Sequence, residues 1–205
     1  MNSKAEKIKQ LYDICCTDYD RHMVKTGHYT AQEKILELIS DQIAEPILDL
    51  ACGTGFLIKL LSKKFTNIVG NDFSAEMVKI AKDNTNVSIT TDNAETLESY
   101  DDKKFKTIIC CNLFFYLQNR NEAINRWAKL LDQDGKIIFI EEYPFVEPSS
   151  QEMDKHTTEL MDIIDPLSPQ DIQKVMTQNG FELIKQVKTE IDEQHSLYGL
   201  MFSLK

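Results

Sequence analysis

The sequence predicts an α/β protein, with a doubly wound, mostly parallel sheet covered by helices on both faces and a helical cap at the N-terminus. Three observations predict it. A short apolar run, Ile47, Leu48 and Leu50, meets two glycines one residue apart, Gly53 and Gly55, and Leu57, Leu60 and Leu61 then follow at helical spacing. Four strand-helix alternations succeed one another along the chain, which implies right-handed crossovers and a parallel sheet buried on both sides. No stretch rich in proline, glycine or serine and no internal repeat divides the 205 residues, a length suited to one α/β domain.

The elements follow in order. Ile8, Leu11, Tyr12, Cys15 and Tyr19 recur at intervals of three and four between Ala5 and about Arg21, an amphipathic helix with an expected break near Thr17. Gly27-His28-Tyr29 reads as a turn, and Thr30 with Glu33 as a capping box for a helix whose face is Ile35, Leu36, Leu38, Ile39 and Ile43. Pro46 ends that helix, and residues 1–45 make the cap. Strand one and its glycine turn come next. A second strand then ends in Asp72, and Ser74 caps a helix carrying Met77, Val78, Ile80 and Ala81.

Val87 to Thr91 alternates as strand three, Lys106 to Cys111 is strand four, and Ile124, Trp127, Ala128 and Leu131 mark the helix after it. The Asp134-Gly135 turn leads into strand five, Lys136 to Ile140, which completes a core of residues 46–142. In the remaining segment, 143–205, Ser149 and Glu152 suit the start of a helix to about Ile164. Ser168-Pro169 opens another that closes at Asn179-Gly180, and strands are expected near Phe181 to Val187 and Ser196 to Leu204.

Composition narrows the function. The chain carries 33 Asp+Glu against 23 Lys+Arg, a net charge of −10, so it does not by itself attract phosphate backbones or anionic membranes. Met1 to Lys9 is charged throughout, unlike a signal peptide, and no apolar run approaches membrane-spanning length, so a cytoplasmic protein is expected. Five cysteines, two pairs of them adjacent (Cys15-Cys16 and Cys110-Cys111), lack the spacing of a zinc site or a disulfide framework.

In an open α/β sheet the ligand sits beyond the carboxyl ends of the strands, where strand order reverses. The glycine turn, Asp72, Asn93-Ala94 and Asn112 would all line that edge. Backbone N–H groups of the turn suit ligand oxygens, and Asp72, roughly 20 residues on, is placed to accept ribose hydroxyls. Asn93 suits an adenine edge. A nicotinamide-linked reductase uses a similar turn but needs a third glycine three residues past the second, and Ile58 stands there.

Asp49-Leu-Ala-Cys-Gly-Thr-Gly55, Val69-Gly-Asn-Asp-Phe-Ser74 and Asp92-Asn-Ala-Glu-Thr-Leu97 together resemble the class I S-adenosylmethionine-dependent methyltransferases, from about Tyr12 to Gly180. The resemblance implies a Rossmann-like seven-stranded sheet with an antiparallel last strand, S-adenosylmethionine as cofactor and a small-molecule acceptor. It implies that Asp49 and the loop Ala51, Cys52, Gly53 and Gly55 hold the methionine end, and that Asp72 takes the ribose. Phe73 and Met77 would then flank the adenine, with Asn93 and Ala94 at its edge and Tyr19 folding over the cofactor. Ala51 replaces the family's first glycine, which is tolerable if its φ stays below zero.

Cys111-Asn-Leu-Phe-Phe-Tyr116 lacks the signature of amino-directed DNA methylation, and strand four does not end in the carboxylate of magnesium-dependent relatives, so neither nucleic acid nor metal is expected. Tyr19, His28, Tyr116 and Tyr143 are the candidate bases or positioning groups. Against these stand plainer readings: Tyr12 and Tyr19 as helix packing, His28 as a turn residue, and Trp127 as core. The absence of a recognisable base motif also supports an alternative, a cofactor-binding sensor or partner subunit without turnover.

Overall fold

The computed structural model describes residues 4–144 and 163–205. The helix expected from Ser149 falls on residues 145–162 and lies outside the described residues. Seven strands form one sheet in the order β3-β2-β1-β4-β5-β7-β6. Their ranges are β1 Ile47–Leu50, β2 Ile68–Asn71, β3 Ser88–Thr90, β4 Phe105–Cys111, β5 Leu131–Glu142, β6 Phe181–Glu190 and β7 Ser196–Leu204. β1 to β5 run parallel to one another, and β7 runs antiparallel to both β5 and β6. The doubly wound sheet with an antiparallel last strand is as the sequence implied.

Strand order reverses between β1 and β4, the crevice where open α/β sheets bind ligands. β1 is wholly buried, and its alternation divides two cores. Leu48 and Leu50 face one with Ile108, Phe139 and Trp127, while Ile47 faces the other with Ile35, Ile58, Ile109 and Ile138. Each fully buried side chain of this size contributes about 1.5–3 kcal/mol relative to exposure. Trp127 is fully buried and its indole N–H donates to the Ala94 carbonyl at 2.7 Å, so it is core, as expected.

The helices are α1 Lys4–Lys25, α2 His28–Ile39, α3 Phe56–Leu61, α4 Ala75–Asn84, α5 Arg120–Leu130 and, later, α6 Pro169–Gln178. Several sequence expectations are corrected. α1 has no break at Thr17: an exposed β-branched residue costs only a few tenths of a kcal/mol in a helix, too little to end one anchored on both sides.

Thr30 and Glu33 form no capping box, because α2 starts at His28 behind Gly27, whose φ of 82° supplies the left-handed entry. Leu38 is exposed, and Ile43 lies beyond a 3₁₀ turn (Ser40–Gln42) rather than on α2, although Ile43 is still buried. Leu131 leaves α5 and opens β5, pairing with Phe105. Ser74 and Ser168 do cap their helices, accepting from Met77 N and Asp171 N. No helix among the described residues is long and apolar enough to cross a membrane.

Candidate functional site

The site begins at the carboxyl end of β1. Cys52 N donates to Asn71 O, Gly55 N to Cys52 O and Lys59 N to Gly55 O, so the chain turns directly from strand into α3. Three residues of this turn are left-handed: Ala51 (φ 51°), Gly53 (φ 54°) and Gly55 (φ 85°). The expectation that Ala51 keeps φ below zero is therefore wrong. A non-glycine residue there carries about 1–2 kcal/mol of strain, which persists only where the surroundings over-determine the backbone.

The turn frames a solvent-open cleft, with about 350 Å³ of empty space counting its open mouth, lined by Tyr19, Tyr29, Gln32, Asp49 and Cys111, among other residues. Of the sequence candidates, Tyr19, Asp49, Ala51, Cys52, Gly53 and Asn112 line it. Asp49 dominates its electrostatics. The residue has no exposed surface, and neither carboxylate oxygen has a hydrogen-bond partner. Burial, with the nearby Asp72 adding to it, pushes the Asp49 carboxyl up to about 8. Asn112 Oδ1, on a residue held at φ 47°, is also buried and unpartnered. Among the described residues no lysine, arginine or histidine lines the cavity.

Asp72 sits beside the turn but is occupied differently. Its Oδ2 accepts from Gly53 N at 2.8 Å and its Oδ1 from Ser74 N at 2.9 Å. Burial raises this carboxyl to about 6, with the two N–H groups opposing the rise. Gly55 does not line the cavity: it starts α3 against Ala81 and Thr85. Phe73, Met77, Asn93 and Ala94 lie further along the sheet edge, outside the cavity. Met77 and Ala94 are buried, and Asn93 Oδ1 accepts from Glu95 N at 2.9 Å, closing its own turn.

α1 lies across this edge through polar contacts that the sequence did not disclose. Asp13 Oδ1 accepts from Ser74 Oγ at 2.5 Å, next to Asp72. Asp20 Oδ1 accepts from Thr54 Oγ1 at 2.5 Å and from the Tyr29 hydroxyl, and Tyr29 stacks on Phe56 with ring centroids 3.7 Å apart. The Tyr12 and Tyr116 hydroxyls hydrogen-bond at 2.8 Å, and Tyr12 meets Tyr19 edge-on. Burial raises the Tyr12, Tyr19 and Tyr116 hydroxyls, so all three are neutral at physiological pH.

The candidate bases do not converge. Tyr19 faces the cavity and Tyr116 is paired with Tyr12. Both His28 ring nitrogens are engaged away from the cavity, Nδ1 with Thr26 Oγ1 at 2.7 Å and Nε2 with Glu142 Oε2 at 3.1 Å. Tyr143 is half-buried, and its N–H donates to Ser196 O at 2.9 Å.

Thr54 of the same loop also lines the cavity, and so do Tyr29, Gln32, Phe56 and Leu57, which were not anticipated. For Gln32 a signal existed, since a buried amide interrupts the apolar stripe of Ala31, Ile35, Leu36 and Ile39. Among the described residues no group of three His, Cys, Asp or Glu gathers as a metal site.

A second finding concerns the missing third glycine. Ile58 is fully buried, and a Cβ added to Gly70 would meet Ile58 Cδ1 at 2.8 Å and Cys52 Sγ at 3.0 Å. Where a dinucleotide fold has a glycine for close helix–strand packing, this chain packs the Ile58 side chain between α3 and Gly70 of β2.

Comparison with known proteins agrees with this geometry. A family model described as a methyltransferase domain matches residues 47–135. The chain is 35% identical over 136 residues to an uncharacterized protein of Methanocaldococcus jannaschii, covering 64% of this chain and 50% of that protein. It is 26% identical over 161 residues to the ubiquinone/menaquinone biosynthesis C-methyltransferase of Hydrogenovibrio crunogenus, covering 72% and 63%. The chain thus spans 50% and 63% of these two relatives' lengths. Among solved structures, the magnesium protoporphyrin IX methyltransferase of Synechocystis PCC 6803 with bound S-adenosylmethionine superposes with a TM-score of 0.72. The two are 18% identical, with 100% of this chain and 99% of that one covered, so they share the fold.

Proposed function

The chain belongs to the class I S-adenosylmethionine-dependent methyltransferases, and from that premise we propose that it transfers a methyl group from S-adenosylmethionine to a small-molecule acceptor. The observation that carries the reading is Asp49. A fully buried carboxylate with two unpartnered oxygens, facing a cavity that no basic side chain lines among the described residues, suits a cationic donor supplied by a ligand. The α-ammonium of an amino-acid-bearing adenosine is such a donor, and the unpartnered Asn112 Oδ1 offers a second acceptor nearby. Ile58, standing where a dinucleotide-binding turn has its third glycine, speaks against a pyrophosphate-containing ligand in its place.

When bound, S-adenosylmethionine supplies an activated methyl on a sulfonium, a good leaving group. The residues of this chain bind and orient. Asp49 and the backbone of Ala51 to Gly55 take the methionine end. Asp72 turns its carboxylate toward the ribose, and Phe73, Met77, Asn93 and Ala94 form the adenine side of the edge. α1 and α2 cap the site and exclude water, and the core of residues 46–142 holds the cofactor.

Alignment alone supplies effective molarities on the order of 10⁵ M or more, so an acceptor that is already nucleophilic needs no protein base. A small acceptor is consistent with the ubiquinone/menaquinone biosynthesis and the magnesium protoporphyrin IX named for the two methyltransferases compared above. The acidic chain favours a neutral or cationic acceptor over a nucleic acid.

Calorimetry tests the cofactor. Saturable binding of S-adenosylmethionine and its demethylated product is expected, with loss in Asp72→Ala, and a folded protein that binds neither refutes the reading. Transfer of labelled methyl to a panel of phenols, quinols, porphyrins and amines tests turnover. A second reading, a cofactor-binding subunit without turnover, draws on one observation: His28 and Tyr116 are both committed to internal hydrogen bonds. Binding without transfer to any acceptor, together with a stable partner in solution, would favour it.

A further inference from the structure

The polar groups around Asp49 are uneven in a way that bears on how a ligand enters. Asp72, at the end of β2, has both oxygens bound by backbone N–H groups, from Gly53 and Ser74, so its charge is stabilised in place. Asp49, on the central strand, has no donor on either oxygen. Among the described residues the other titratable groups facing it are Cys52 on the glycine turn, Cys110 and Cys111 on β4, Tyr19 on α1 and Tyr29 on α2. Burial raises all five above their ordinary values, so they stay neutral and none offers a positive charge. A carboxylate left unpaired in such surroundings takes up a proton rather than remain charged.

We propose that cofactor uptake is coupled to discharge of a proton from Asp49, so that the site exchanges a buried carboxylic acid for a carboxylate–ammonium pair as the ligand's amino-acid end arrives. The inference rests on the cofactor reading above and deepens it. In the free protein the O–H bond of Asp49 is intact and the cavity holds no net charge at that carboxyl. On binding, that bond breaks heterolytically, the proton leaves to solvent through the cavity mouth, and the carboxylate pairs with the incoming ammonium. No oxidant or second reactant is required. The burial that raises this carboxyl to about 8 keeps the acid protonated at neutral pH in the free state. The selectivity that follows is chemical: a ligand carrying adenosine but no amino-acid portion leaves Asp49 protonated.

The test is calorimetric titration of the purified chain with S-adenosylhomocysteine near pH 7 in buffers of small and large ionisation enthalpy. The dependence of the observed heat on buffer enthalpy counts protons, and about one proton released per ligand bound is expected, with affinity tightening by about tenfold per pH unit from about pH 5.5 to about pH 7. Asp49→Asn should bind more weakly and release none. Should that variant fail to fold or bind, 5′-methylthioadenosine on the natural chain serves instead, with no proton release expected.

Binding of S-adenosylhomocysteine with no proton release overturns the proposal while leaving the cofactor reading intact. Equal release with Asp49→Asn or with 5′-methylthioadenosine overturns it too, by moving the proton to the adenosine side. Absence of any binding removes the cofactor reading and the proposal together.

Discussion

Tyr12 on α1 and Tyr116 in the turn after β4 join their hydroxyls at 2.8 Å, although 104 residues of chain separate them. With Asp13 on Ser74 and Asp20 on Thr54, this contact holds the N-terminal helix across the carboxyl edge of the sheet. The helix is therefore held down by side-chain hydrogen bonds at three points, each open to separate removal.

Tyr12→Phe and Tyr116→Phe should each lower stability by about 1 kcal/mol, the usual net worth of one hydrogen bond. In a double-mutant cycle by denaturant unfolding, the pair should show a coupling of about 0.5 kcal/mol or more. Strict additivity of the two substitutions would mean that the hydroxyls do not meet in solution.

Asp49→Asn should stabilise the ligand-free protein at alkaline pH. The folded pKa of Asp49 lies above the ordinary carboxylate value, so the folded protein holds a proton that the unfolded chain releases. Stability therefore falls as pH rises from about 4 to about 8, and removing the group removes that fall. The variant should gain about 5 kcal/mol over the natural chain near pH 8 and almost nothing near pH 4, read from urea midpoints at both pH values. A gain independent of pH would contradict the buried acid.

Gly55→Ala and Ala51→Gly should behave oppositely although both lie in one turn. At Gly55 the backbone has φ 85°, and an added Cβ would sit 2.9 Å from Thr85 Cγ2. More than about 1 kcal/mol of destabilisation is expected there. At Ala51 the methyl is already carried at φ 51°, so its removal relieves strain but frees the unfolded chain, leaving stability within about 1 kcal/mol. Melting curves of the two variants decide the matter.

His28→Ala should reduce stability by about 1 kcal/mol through loss of the Thr26 and Glu142 contacts. Affinity for S-adenosylhomocysteine should stay within about twofold, because no cavity-lining atom is removed. A tenfold loss of affinity would return His28 to the site.

Much of the fold was legible because apolar periodicity and turn chemistry are local. The run Ile47 to Leu50, the Ser74 cap and the Pro169 start were read from a few residues each, and the structure keeps all three. Boundaries failed where a long-range contact outweighed a local signal. Leu131 was read into a helix by spacing and is drawn into β5 by pairing with Phe105.

In the site, the turn residues were legible because glycine spacing and an acidic strand end carry their own geometry. The anchors of α1 were not. Asp13 and Asp20 look like solvated charges in sequence, and only folding brings them to Ser74 and Thr54. The left-handed Ala51 was missed for a related reason: composition does not disclose strain that the rest of the turn imposes.

The contact between Ile58 and Gly70 makes two positions answerable to each other. A side chain at Gly70 has no room while Ile58 and Cys52 stand over it, and a glycine at Ile58 alone would open a void in the core beneath α3. Redirecting this scaffold toward a dinucleotide is thus not a single-residue change: it requires a coordinated rebuild of strand, turn and helix, with every one-step intermediate less stable than its start.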